Sequence, residues 1–83
     1  MSMTFSDSAA PATAERVTRE ANLIARNLEC RGAETAAAAT ADHIRRFWSP
    51  LLRSTVIEQA RAHRDRFSAI ARDAIARLEP NDD

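Results

Sequence analysis

Lysine and tyrosine are absent from this chain, glycine and cysteine occur once each, and proline occurs three times. A single cysteine excludes a disulfide scaffold and a C-x-x-C redox motif, so Cys30 is expected to be a small semi-buried hydrophobe. One glycine cannot furnish a phosphate-cradling loop. So few turn-formers and β-branched residues, against an excess of Ala and Arg, argue against a sheet and for helices. No stretch approaches the roughly 18 apolar residues of a membrane span, and residues 1–10 have neither the basic start nor the apolar run of a signal peptide. The expectation is a cytoplasmic protein with no membrane partner.

What is present is 83 residues, 45% hydrophobic and 29% charged. That is too ordered a composition for a disordered chain and too short a chain for a second core. The net charge of zero conceals an asymmetry. Residues 1–42 carry −2, residues 43–77 carry +5 and the end adds −3, with every cation an arginine. An Arg-only cation set suits planar, bidentate pairing with carboxylate or phosphate, although Ala- and Arg-rich coding produces the same bias.

The fold expected is all-α, a small bundle of three to four helices. It comprises a flexible arm over 1–11, a helical domain over 12–79 and an acidic tail over 80–83. Val17, Ala21, Ile24 and Leu28 have the four-three-four spacing of one face in a helix from about residue 12 to Arg31. Glu15 with Arg19 and Arg16 with Glu20 form i,i+4 pairs on its outside. Gly32 stands where a helix C-terminus favours the left-handed conformation. A second helix from residue 33 or 34 to Trp48 places Ala37, Ala41, Ile44, Phe47 and Trp48 in one arc. Its small residues allow close approach and its aromatics fill the far end.

Ser49-Pro50 breaks that run, with Ser as N-cap and Pro at the first helical position of a third helix. Leu52, Val56, Ala60 and His63 form its stripe, with Ile57 at the flank. The apolar spacing continues to Leu78, so one long helix from Pro50 is conceivable. A break near residues 64–68, with Ser68 capping a last helix of Ile70, Ala74, Ile75 and Leu78, is preferred because two preceding helices cannot cover so long a stripe.

Little here could carry chemistry. His43 and His63 lack metal-ligand spacing, no carboxylate pair is set for general acid and base work, and no cofactor is expected. The informative segment is His43 to Arg53. Arg46 points toward Asp42, its i,i+4 partner. Trp48 and Arg45 are candidates for an interface centre, since a bundle this small has little interior for Ile44, Phe47 and Trp48 together, and Trp and Arg are enriched at the energetic centres of interfaces.

His43-Ile44-Arg45-Arg46-Phe47-Trp48, followed by Pro50 and Arg53, resembles the signature of the small delta subunit of cytoplasmic NAD-dependent, molybdenum-containing formate dehydrogenases. Ala21-Asn22-Leu23-Ile24 and Ala74-Ile75-Ala76-Arg77-Leu78 extend the resemblance. The chain departs from that pattern at Ser49, where an acidic residue is usual, and at Ala62 to Phe67, where a Gly-rich loop is usual. The resemblance implies a non-catalytic subunit without cofactors. Its partner would be the alpha subunit, which holds molybdopterin and iron-sulfur centres, and through it the flavin- and NAD-binding beta and gamma subunits. Asn22, His43, Arg45, Trp48, Pro50 and Arg53 are the partner-interface residues so implied. The basic middle also fits a small nucleic-acid-binding or regulatory module, or an adaptor of another enzyme complex. No short turn joins two clear helices with a polar recognition face, however, so no nucleic acid is expected among the partners.

Overall fold

A computed structural model describes the backbone of residues 5–79 and side-chain environments from residue 13 to residue 79. Among the described residues there are four α-helices and no strand: α1 (Phe5–Leu28), α2 (Ala33–Phe47), α3 (Pro50–Ala62) and α4 (Ala69–Leu78). Short 3-10 turns at Glu29–Arg31 and Arg64–Arg66 lie between α1 and α2 and between α3 and α4. The all-α bundle expected from composition is the fold observed. The helix begins at Phe5, ahead of Pro11, so the expected arm lies partly within α1. The Ser, Asp, Thr and Ala residues of that stretch carry no periodic apolar side chains, which is why the sequence places the start of the helical signal after it. Residues 1–4 and the acidic tail over 80–83 lie outside the described residues.

The α1 face that reaches the core is Val17, Ala21 and Ala25, all buried, with Ile24 and Leu28 half-buried beside it. The centre of the stripe is therefore rotated from the expected Ile24 and Leu28 toward alanines. The alanines are buried because larger groups from elsewhere fill the space before them: Val56 of α3, Phe67 ahead of α4 and Ile75 of α4 share one cluster with Val17, Ala21 and Ala25. A second cluster joins Ala37 and Ala41 of α2 to Ala74 of α4, small against small. Ile70 and Leu78 pack against both clusters and tie them into one interior. Removing these side chains from water is the main favourable contribution, at about 25 cal/mol per Å² of apolar surface.

The chain breaks where capping chemistry dictates. Ser49 is extended and its Oγ accepts from the Leu52 amide at 3.2 Å, with Pro50 at the first turn of α3. Ser68 repeats this ahead of α4, accepting from the Ala71 amide at 3.1 Å. Residues 50–78 are thus two helices, parted at the 64–68 segment as the sequence suggests.

Three expectations need correction. Cys30, in the 3-10 turn, is exposed, because the turn carries it outside the bundle. Phe47 is 69% exposed although the helical wheel places it with Ile44. α4 meets α2 at the level of Ala37 and Ala41, and at the next position Trp48 leaves the helix in an extended conformation (φ −94°, ψ 144°), so nothing closes over Phe47. Gly32 has the positive φ expected, 97°, but its ψ of 147° is extended rather than left-handed helical.

Glycine alone adopts that backbone readily, and a Cβ at Gly32 would meet nothing within 4 Å. Gly32→Ala therefore tests the backbone by itself, and stability in urea should fall by about 1–3 kcal/mol with helical content unchanged. Thr40 is fully buried and its Oγ1 has no hydrogen-bond partner. Thr40→Val keeps the shape and removes the unpaired hydroxyl, so it should raise stability by about 1 kcal/mol in the same titration.

Candidate functional site

The His43–Arg53 segment spans the last turns of α2, the Trp48–Ser49 break and the first turn of α3. Ile44 is its buried anchor. Arg45 extends across to α4, where its Nη2 donates to the Arg77 carbonyl at 3.0 Å. Arg53 folds back from α3, and its Nη1 donates to the Trp48 carbonyl at 2.7 Å and the Arg45 carbonyl at 3.4 Å. A helix C-terminus presents carbonyls without intrahelical donors, and a guanidinium is suited to them by charge and by its fixed fork of N–H groups. Arg46 pairs with Asp42 at 3.6 Å on the solvated side, the i,i+4 contact expected of it. Pro50 is exposed at the start of α3.

The same joint is built a second time. Arg72 of α4 donates through Nη1 to the Phe67 carbonyl at 2.7 Å and the Arg64 carbonyl at 3.2 Å. Both joints consist of an aromatic residue, a capping Ser and, after three more residues, an Arg that reaches back: Trp48-Ser49 with Arg53, and Phe67-Ser68 with Arg72. The repeat is visible in the sequence as two aromatic-Ser-x-x-x-Arg strings, and Arg72 is the member that periodicity alone does not reveal. Asn22 of α1 holds the second joint from the opposite side. Its Nδ2 donates to the Arg66 carbonyl at 2.9 Å and its Oδ1 accepts from the Ser68 amide at 2.9 Å.

Trp48 is half-buried against the α1–α3–α4 core cluster. Together with Thr13, Arg16, Val17, Glu20 and Leu52 it lines an open groove of about 300 Å³. At the outer end of α4, Arg77 pairs with Glu34 at 3.1 Å and Asp73 at 3.4 Å. Glu34 first, then Asp73, hold its guanidinium above the ordinary value. Arg61 pairs with Glu79 at 2.9 Å. Among the described residues, no three His, Cys, Asp or Glu side chains come together as a metal site, and no helix is long and apolar enough to cross a membrane.

The six residues implied as an interface therefore separate by their contacts. Asn22, Arg45 and Arg53 spend their polar groups on this chain's own backbone, and Trp48 spends much of its surface on the core. His43 and Pro50 stay exposed. His43 lies against Phe47, with ring centroids 4.9 Å apart and planes at 48°. Phe47 and Leu51, 69% and 70% exposed, join them at this corner. Leu51 is a residue the sequence could have flagged, since it lies one position off the Leu52–Val56 stripe.

If Asn22 is a clamp on the joint ahead of α4, Asn22→Ala should cost about 1–3 kcal/mol in chemical denaturation, the sum of two hydrogen bonds, and leave the helices formed. An unchanged midpoint would return Asn22 to the surface as an interface candidate.

No curated protein and no solved structure matches this chain. Residues 16–75 match the family model described as the NADH-dependent formate dehydrogenase delta subunit FdsD. That span runs from the first buried turn of α1 through both Arg-closed joints to the last buried residue of α4, Ile75. On that match over most of its length, the chain belongs to the family of formate dehydrogenase delta subunits.

Proposed function

We propose that this chain is a non-catalytic subunit of a cytoplasmic, NAD-dependent, molybdenum-containing formate dehydrogenase. It docks on the large alpha subunit and supports assembly of the complex or retention of the alpha subunit's cofactor. The family match over residues 16–75 is the observation that carries this reading. It is supported by the way the polar side chains are used: Asn22, Arg45, Arg53 and Arg72 close backbone groups of the chain itself, which makes a rigid shape rather than a reaction centre. A rigid module with a pre-set outer surface is suited to binding another protein, because it has little ordering entropy left to lose on association. The beta and gamma subunits, with the flavin and NAD sites, are reached through alpha.

The nucleic-acid alternative rested on the +5 charge of residues 43–77. Six of the arginines behind that charge, Arg45, Arg46, Arg53, Arg61, Arg72 and Arg77, have partners within the chain. Phosphate binding would have to compete with those contacts.

Co-expressed with the cognate alpha subunit, the chain should co-purify with it. Its deletion should lower the yield of active, molybdenum-loaded complex several-fold while the KM for formate of the remaining enzyme is unchanged, since no residue here is expected to touch substrate. Fully active enzyme of normal molybdenum content from the deletion strain would refute the assembly role.

A further inference from the structure

We infer that the corner between α2 and α3, formed by His43, Phe47, Pro50 and Leu51, is the surface by which this chain seats on the large subunit, in an apolar socket with an acidic rim. The inference rests on the docking reading proposed above and gives it a location.

Phe47 and Leu51 are the most exposed large hydrophobic side chains among the described residues, and each lies in an element whose other large apolar side chains are buried or half-buried. They are four positions apart in the chain, so their Cα atoms lie within about 14 Å of each other, and one partner surface can take both. His43 stacks against Phe47 and extends the apolar surface by one turn of α2. Large apolar groups exposed together mark an interaction site more often than single ones do.

Within the His43–Arg53 segment, most of the other residues have work inside the fold, and Arg46 pairs with Asp42 on the solvated side. Ile44 is in the core, Arg45 and Arg53 close carbonyls, Ser49 caps α3 and Trp48 packs on α1 and α3. His43 and Phe47 touch each other and contribute nothing to the interior. The corner is also held rigid: the Arg53 guanidinium, bonded to carbonyls at the end of α2, locks the first turn of α3 to the last turn of α2. Phe47 and Leu51 are thereby presented in one arrangement, which lowers the cost of binding.

Charge selects the occupant. Arg45 and Arg46 precede Phe47 and are exposed; Asp42 offsets Arg46, and Arg45 keeps its positive charge while bonded to the neutral Arg77 carbonyl, so the net charge beside Phe47 is positive. A second copy of the chain, paired through the same corner, would bring these arginines against their own counterparts. A different chain with acidic groups around an apolar depression has no such penalty, and its carboxylates are drawn by the net positive charge beside Phe47.

The test is capture of this chain by a tagged alpha subunit from the co-expressed complex. Phe47→Ala and Leu51→Gln should each weaken capture about thirtyfold, as interface centres do, while circular dichroism and melting of the free chain stay as in the wild type because both side chains are exposed. Capture of the wild type should also weaken as ionic strength rises, through screening of the charged rim. If the wild type is captured and the double variant is captured within about twofold of it, the corner is not the docking surface, although the subunit reading stands. Salt-independent capture would remove the acidic rim. A free-chain dimer that Phe47→Ala dissociates would make a second copy the occupant and overturn the proposal. A wild-type chain that is never captured would refute the docking reading itself.

Discussion

Arginine reaching back across a helix break to close the carbonyls behind it is the interaction on which this small bundle depends. α3 and α4 each follow a sharp exit from the preceding segment, and each exit leaves the carbonyl of its aromatic residue, Trp48 or Phe67, outside the helical ladder of backbone donors. Arg53 and Arg72 supply the missing donors from the first turn of the following helix. Each thereby fixes the angle between the joined elements as well as satisfying the backbone. The serine caps decide where α3 and α4 start, and the arginines decide how they lie relative to what came before. Arg45, extending from α2 to the Arg77 carbonyl, applies the same chemistry between helices distant in sequence. At each joint one guanidinium nitrogen, Nη1, reaches both carbonyls, in a chain whose cations are all arginine.

With the joints held, the interior can be made largely of alanine. Ala37, Ala41 and Ala74 let α2 and α4 approach closely, and Ala21, Ala25 and Ala71 leave room for Phe67, Val56 and Ile75. Small-residue contacts give little hydrophobic stabilisation apiece, so the fold rests on geometry being correct at every joint. Asn22 illustrates this, holding Arg66 and Ser68 at the joint before α4 from a helix far away in sequence. The long sequence separation between such partners is why a chain of this size needs polar clamps in addition to its core.

The same economy bears on function. When conspicuous polar residues of a recognisable segment are absorbed into the fold, the residues of that segment without an internal role become the informative ones. His43 and Phe47 are in that position, and the family to which the chain belongs is one of subunits. A segment can therefore identify a family by residues that serve the scaffold, while neighbours such as Phe47 and Leu51 stay exposed.

By itself the sequence determined the helical class, the first two helical runs, the Ser49-Pro50 break, the positive φ at Gly32 and the family, and it favoured without fixing the second break at Ser68, because these depend on local propensity, capping and a contiguous string of residues. It determined the Arg46–Asp42 pair for the same reason. Only the tertiary structure decided which way the faces turn. Ala25 rather than Ile24 lies at the centre of α1, because Phe67 and Ile75 fill the space in front of it. Phe47 is outside although its wheel position is inside, because the chain leaves α2 at Trp48 and no other element closes over that last turn. Asn22, Arg45 and Arg53, legible as special, became clamps only once the carbonyls they close had been brought to them by packing. A periodic pattern reports which residues share a face; what covers that face is set by helices remote in sequence, and no spacing within one helix encodes it.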